Sequence, residues 1–208
     1  MLHLLDASLE AFLRSEAGLR VGDVDVSFDP PDRDWAAALS KPTVNLFLWD
    51  VRRNLSQTSS GTEVVERNGA GFRRGALPRI RLGYLATVWA SEARSEHQLL
   101  GSVLRALLAS NEIPQEFLER GLADLPSLPG IDVGHPLDEG RADIWSALGG
   151  AFRPGIDVGV TMTVDPLALR PVARPPATVE VGVADTTTPE RTSRRRRVVG
   201  PGPSSGGA

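Results

Sequence analysis

The chain has 208 residues, 41% hydrophobic and 24% charged, which is enough for one substantial domain or for a domain plus a tail. It has no cysteine, which excludes disulfides and thiolate metal sites or nucleophiles. The net charge of −3 is uneven, because residues 165–208 hold 7 arginines and 4 acidic residues whereas residues 1–164 hold 16 basic and 22 acidic ones. No segment approaches about 18 uninterrupted apolar residues and the N-terminus lacks a basic start, so we predict no membrane span, no secretory signal and a cytoplasmic location.

The first forty residues predict two helices and one strand. Apolar residues recur every three or four positions over residues 2–16, which predicts an amphipathic helix that Gly18 ends. Residues 24–28 alternate apolar and polar side chains, as in a strand with one solvent-exposed face. A turn at Pro30-Pro31-Asp32 then leads to a short helix through Trp35 to Leu39.

The most distinctive segment is a long apolar strand from Pro42 to Asn54. Pro42 cannot donate a ladder hydrogen bond, so it marks the first residue of the strand or a sheet edge. The residues that follow are Val44, Leu46, Leu48 and Val51, interleaved with Asn45, Phe47 and Trp49. Because both faces are largely apolar, we expect the strand to be covered on two sides, either by its own domain or by a partner.

A charged hairpin follows a polar loop at residues 54–61. Its strands are predicted at 62–67 and 71–74, joined by Asn68-Gly69, a pair that tolerates the positive φ of a tight turn. These strands are rich in arginine and glutamate, so we expect the hairpin to project from the core. A second long apolar strand is predicted over residues 80–89.

The second half predicts two helices and two more strands. Ser91 or Ser95 is expected to cap the first helix, and Ile113-Pro114 to end it. Its apolar face consists of Leu99, Leu100, Val103, Leu104, Leu107 and Leu108. After a short turn at 115–118, we predict a strand at 131–133, a helix at 138–148 with Trp145 inward, and a strand at 156–164.

These elements predict an α/β (α+β) fold, with a mixed, largely antiparallel sheet and helices packed on it, over residues 1–164. Residues 165–208 are dominated by proline, glycine, serine, threonine and arginine, and are predicted to form a mostly disordered tail with one β-prone island at 177–183.

No group of residues predicts catalysis, a cofactor or a metal site. His3, His97 and His135 lack additional ligands at metal-binding spacing. The aspartates around residues 23–34 do not match a calcium loop and fit a solvated strand face with an N-cap at Asp32. The sequence has no G-x-S-x-G motif and no phosphate-binding loop. We therefore predict a protein that is not an enzyme.

The run Arg194–Arg197 admits two interpretations. It could bind nucleic acid, which gives an alternative function as a nucleic-acid-binding adaptor. We favour a solvated charge run, because the tail has no aromatic residue to stack on bases.

The tryptophans suggest where partners bind. Trp145 lies in the apolar stripe of its helix and is expected in the core, whereas Trp49 and Trp89 end the two longest strands and are candidates for a subunit contact.

Five segments resemble one family of structural proteins. They are residues 4–6, 24–31, 42–54 (PTVNLFLWDVRRN), 96–101 (EHQLLG) and 144–149 (IWSALG). In their order along residues 1–165 they resemble the N-terminal domain of the cap, or tail-terminator, proteins of phage-tail-like contractile injection systems.

This resemblance implies a structural role without a cofactor. It implies a homohexameric ring that closes the distal end of the inner tube and contractile sheath, ends their polymerisation, and becomes part of the particle after assembly in the cytoplasm. The expected partners are further copies of the chain and the sheath and tube proteins, without a membrane partner. The candidate contact residues are Trp49, Arg52, Arg53, Glu63, Val65, Arg67, Trp89, Val179, Val181 and Val183, from the strand ends, the hairpin and the β-prone island.

Overall fold

The computed structural model describes residues 1–55, 62–67, 70–134, 145–149, 152–166, 169–171, 178–183 and 194–199. The chain forms two compact units. The first consists of residues 1–61 and 75–168, and the second of residues 62–74 and 169–208. The predicted hairpin therefore belongs to the same unit as the C-terminal residues.

The helices and strands follow one another in an order that the sequence largely predicts. They are α1 (Leu2–Glu16), β1 (Asp25–Ser27), α2 (Arg33–Ala38), β2 (Thr43–Arg53), β3 (Thr62–Arg67), β4 (Ala70–Gly75), β5 (Arg79–Trp89), α3 (Ala93–Ala109), a 3-10 turn (Gln115–Phe117), β6 (Gly130–Val133), β7 (Gly155–Thr163), β8 (Leu169–Pro171), β9 (Thr178–Val183) and β10 (Arg194–Val199). The elements predicted up to residue 133 and over 156–164 are confirmed, with shifts of a few residues at their ends.

A five-stranded sheet with the order β1-β2-β5-β7-β6 forms the first unit. β1 pairs parallel with β2, and the other three pairs are antiparallel. The long strands β2 and β5 lie side by side, from Thr43 opposite Trp89 to Arg53 opposite Ile80. The prediction of a mixed, largely antiparallel sheet with helices packed on it is confirmed.

The main core lies between this sheet and the helices α1 and α3. Helix α1 buries Leu5, Leu9, Phe12 and Leu13, as its three- and four-residue spacing predicts. These side chains pack against alternate residues of the central strands: Val44, Leu46, Leu82, Tyr84, Val158 and Val160. The helix ends where Gly18 adopts a φ of 67°, a conformation that glycine accepts without steric cost.

The N-terminus of α3 differs from the prediction. Glu92 is the N-cap residue and makes no side-chain capping bond, so the prediction that Ser91 or Ser95 caps the helix is wrong. Instead, Glu96 in the first turn reaches back, and its Oε1 accepts a hydrogen bond from the Ala90 backbone N–H at 3.3 Å. This hydrogen bond holds the residue that precedes the N-cap against the first turn of the helix.

The C-terminal part of α3 also differs. Val103, Ala106 and Leu107 form the buried row, at the i, i+3 and i+4 spacing of one helix face. Leu108 is 64% exposed, so the prediction that it faces the core is wrong. The helix ends at Ala109, before the predicted stop.

The second unit contains a three-stranded sheet with the order β3-β4-β8 and a ribbon of β9 and β10. The neighbouring strands β3 and β4 confirm the two hairpin strands, while Asn68 and Gly69 lie outside the described residues. β9 coincides with the β-prone island and pairs antiparallel with β10. That residues 165–208 are a mostly disordered tail, and that a domain ends at residue 164, stay predictions.

Two further predictions lie mainly outside the described residues. They are the polar loop at 54–61 and the helix at 138–148, of which residues 145–147 are helical. His135 also lies outside the described residues.

Candidate interaction surfaces

The acidic residues around β1 have structural and solvent roles. Asp32 is the N-cap of α2, and its Oδ1 accepts a hydrogen bond from the Trp35 backbone N–H at 2.8 Å. Asp23, Asp25 and Asp29 are exposed, as predicted for a wet strand face. Within the described ranges, no three His, Cys, Asp or Glu side chains are grouped so that they could hold a metal ion. None of the helices in those ranges combines the length and apolarity needed to cross a bilayer.

The four tryptophans converge on the sheet face opposite α1 and α3. Trp89 and Trp145 are buried there with Leu85, while Trp35 and Trp49 pack against them and are partly buried. The rings of Trp35 and Trp89 meet edge to face, with centroids 5.4 Å apart. Trp145 is 3% exposed, which confirms its predicted core position. We call these four residues the tryptophan cluster.

An arginine connects the tryptophan cluster to α3. The Arg153 guanidinium lies 4.2 Å from the centroid of the Trp89 ring and pairs with the Glu96 carboxylate, whose side chain is only 15% exposed. Glu96 therefore serves both the start of α3 and this cation–π contact. The three side chains hold the segment before β7 against the end of β5 and the start of α3.

Trp49 occupies a β-bulge in β2. The pairing of β2 with β5 shifts between Leu48 and Asp50, so Trp49 has no directly opposed residue. A Cβ on Gly83, which is opposite Asp50, would lie 3.2 Å from the Asp50 Cβ and 3.3 Å from the Trp49 Nε1. The glycine therefore leaves room for the displaced indole ring.

The sequence contained a signal for this bulge. Val44, Leu46 and Leu48 are two residues apart, whereas Leu48 and Val51 are three apart. The extra residue keeps Val51 on the same face as Leu48, opposite the buried Leu82.

The candidate contact residues of the first unit differ in exposure. Trp89 is 8% exposed and Trp49 is partly buried, both within the tryptophan cluster. Arg52 and Arg53 are exposed at the end of β2, where the Arg52 Nε lies 2.7 Å from the Asp50 carboxylate. Their roles in a subunit contact stay predictions.

The remaining candidates lie on two strands of the second unit. Glu63, Val65 and Arg67 occupy alternate positions of β3, and Val179, Val181 and Val183 occupy alternate positions of β9. Whether these residues contact partners stays a prediction.

The arginine run forms most of β10. Arg194 to Arg197 lie opposite Val183, Gly182, Val181 and Glu180 of β9, in that order. The solvated charge run and the nucleic-acid alternative both stay predictions.

A partly buried pair of ionisable groups joins α1 to the centre of the sheet. The Tyr84 hydroxyl donates a hydrogen bond to the Asp6 Oδ1 at 2.8 Å. Burial raises the pKa of Asp6, and the Tyr84 hydrogen bond and the His3 charge oppose this rise. Burial and the neighbouring carboxylate raise the pKa of Tyr84 above its usual range, so its hydroxyl remains a donor.

A second polar link spans three strands on the sheet face that lies opposite α1 and α3. The Arg81 guanidinium of β5 binds the Asp132 carboxylate of β6 through two hydrogen bonds of 2.7 and 2.6 Å. The side chain passes over Gly159 of the intervening strand β7, where a Cβ would lie 2.7 Å from the Asp132 Oδ1. Glycine is therefore needed at this position for the pair to form.

Comparison with known proteins identifies the family. The Pvc16 N-terminal domain family matches residues 4–179, and the chain belongs to this family. No curated protein matches the chain.

Two solved structures have a similar fold. The first is the sheath/tube terminator of an extracellular contractile injection system, PVC, in the extended state, with a TM-score of 0.57 and 20% identity over 92% of this chain. The second is the tube-terminating cap of the anti-feeding prophage, with a TM-score of 0.54 and 17% identity over 92% of this chain. The chain spans 64% and 61% of the length of these two proteins.

Proposed function

We propose that the chain is a structural cap, or terminator, of a phage-tail-like contractile injection system. It closes the distal end of the inner tube and the contractile sheath, and so ends their polymerisation. The observation that carries this proposal is the family match over residues 4–179, supported by a fold similar to a sheath/tube terminator and to a tube-terminating cap.

The role is one of assembly and not of catalysis. The chain acts as a homohexameric ring whose partners are the sheath and tube proteins, and it needs no cofactor or membrane. It assembles in the cytoplasm and remains in the particle. A ring of identical copies needs heterologous contacts that close, in which each copy offers two different surfaces.

Co-expression with the partner subunits tests the proposal. The tube and sheath proteins encoded with this chain are produced with and without it, and particle lengths and ends are measured by electron microscopy. With the chain present, we expect a bounded length distribution and additional density at one end. Without it, we expect continued growth and a broad distribution.

A variant that cannot fold provides the matched control. Leu46 is fully buried in the main core, so Leu46→Asp would leave an unpaired charge there and should remove both the end density and the length limit. Equal length distributions with the wild-type chain, the variant and no chain would refute the proposed function.

A further inference from the structure

A pocket of about 280 Å³ opens beside the tryptophan cluster. It lies between the start of β2, the end of β5 and the residues that lead into α3. Ala36, Leu39, Pro42 and Trp89 provide its apolar lining. Among the described residues, the edge of Trp89 that faces this pocket is the part of the cluster that lines an opening, although the side chain is only 8% exposed overall.

The pocket has a positive rim. Lys41, the single lysine of the chain, lines it, and its nearest acidic partner is the Asp25 carboxylate at 4.0 Å in an exposed, weak pair. Arg153 also lines the pocket but already pairs with Glu96. The N-terminus of α3 adds the positive end of a helix dipole at the same place. Lys41 is therefore the charge best placed to meet a carboxylate of an occupant.

The opposite end of α3 has the complementary chemistry. Leu108 is 64% exposed and continues the i, i+4 row of the partly buried Leu104. Glu112 follows the helix and is also exposed, and no side chain among the described residues pairs with its carboxylate. Its backbone is held by a bridge to Gly130 of β6. We call Leu108 and Glu112 the α3 corner.

The α3 corner and the pocket lie at opposite ends of one straight element. Helix α3 has 17 residues, so its ends are about 25 Å apart. The corner therefore cannot enter the pocket of its own chain. An apolar projection and a complementary pocket at different places on one molecule allow a head-to-tail, heterologous contact between copies.

We propose that the pocket receives the α3 corner of a second copy of this chain. Leu108 lies against the apolar lining formed by Leu39 and Trp89, and the Glu112 carboxylate pairs with Lys41. The proposal rests on the proposed function, because it names one contact of the ring.

Sedimentation velocity of the purified chain over a range of concentrations measures the contact. Leu108→Ser should weaken self-association about ten-fold or more, since burial of one leucine side chain contributes at least that factor. Val21→Ser is the matched control, because Val21 is 83% exposed and belongs to neither surface. Lys41→Glu should also weaken association, and Lys41→Glu combined with Glu112→Lys should restore it.

A mixing experiment tests the polarity of the contact. Leu108→Glu copies keep a functional pocket, and Lys41→Glu copies keep a functional corner. Each alone should self-associate much more weakly than the wild type, whereas an equimolar mixture should form one-to-one dimers that do not grow, because only one fully productive contact remains.

The results separate this contact from the proposed function. Wild-type-like association of Leu108→Ser and Lys41→Glu, a wild-type chain that stays monomeric at every concentration, or a mixture without dimers would each overturn the contact. A wild-type chain that fails to limit tube and sheath length would overturn the proposed function, whatever its self-association.

Discussion

Removal of the Tyr84 hydroxyl should destabilise the fold by an amount that depends on pH. Tyr84 is fully buried in the main core, and its hydroxyl is a donor to the Asp6 carboxylate at 2.8 Å. A hydrogen bond to a charged group contributes roughly 1.5–3 kcal/mol, and one between neutral groups about 1 kcal/mol. Because Asp6 is only half-buried, we expect Tyr84→Phe to cost about 2 kcal/mol when Asp6 is ionised and about 1 kcal/mol when it is protonated.

The direction of the pH dependence follows from the raised pKa of Asp6. A carboxyl group with a higher pKa in the folded than in the unfolded state binds its proton more tightly when folded. Its contribution to stability is present below the unfolded pKa and is lost as the pH rises through the folded pKa. Without the Tyr84 hydroxyl the folded pKa rises further, so the variant loses more stability between about pH 4 and pH 8 than the wild type.

Urea unfolding followed by tryptophan fluorescence at pH 4.5 and pH 8 measures both quantities. The control is the same substitution in an Asp6→Asn background, where the amide accepts the hydroxyl hydrogen bond but cannot ionise. There the cost of Tyr84→Phe should be about 1 kcal/mol at both pH values. An equal cost at both pH values in the wild-type background, or a pH dependence that persists with Asp6→Asn, would refute this account of the pair.

Three other perturbations test single features. Gly159→Ala should displace the Arg81 guanidinium and lower the free energy of unfolding in urea by about 1 kcal/mol. In an Arg81→Ala background the same substitution should cost much less, and additive costs of the two substitutions would contradict the close approach. In the same measurement, Asp32→Ala should lower the free energy of unfolding by about 1 kcal/mol. Asp32→Ser should lower it much less, because the serine hydroxyl can still cap α2. Replacement of residues 62–74 by a glycine-serine linker should preserve the main unfolding transition and abolish co-purification with the sheath or tube proteins, and normal co-purification would remove the hairpin as a contact element.

Periodicity predicted the elements because each element carries its own pattern. The spacing of apolar residues in α1 predicted which of its residues are buried, and the alternation in β5 predicted a strand, which is almost fully buried. Helix ends were less predictable. A serine near the start of α3 looked like a cap, but the N-cap is Glu92, which makes no side-chain capping bond. Glu96 in the first turn instead accepts a hydrogen bond from the Ala90 N–H and pairs with Arg153, a residue distant in sequence that no local rule could predict.

Pairing between distant strands could not be predicted. β2 lies between β1, with which it is parallel, and β5, with which it is antiparallel. A period of two gives the faces of a strand but not its neighbours, because hydrogen bonds at the two edges are available to any strand. The ion pair of Arg81 and Asp132 could not be predicted for the same reason, since it depends on the position of β7 between β5 and β6.

The tryptophan cluster changes where a subunit contact is expected. The two apolar faces of β2 left open whether its own domain or a partner covers them, and Trp89, at the end of the second long strand β5, was a candidate for a subunit contact. One face is covered by α1 and α3, and the end that carries Trp89 is covered by Trp35 and Trp145. Trp89 is thus largely buried within its own chain, and its role in a subunit contact stays a prediction. Leu108 is the side chain that helix periodicity placed in the core and the structure places in solvent. In the proposed contact, this exposed leucine meets the edge of Trp89 that lines the pocket.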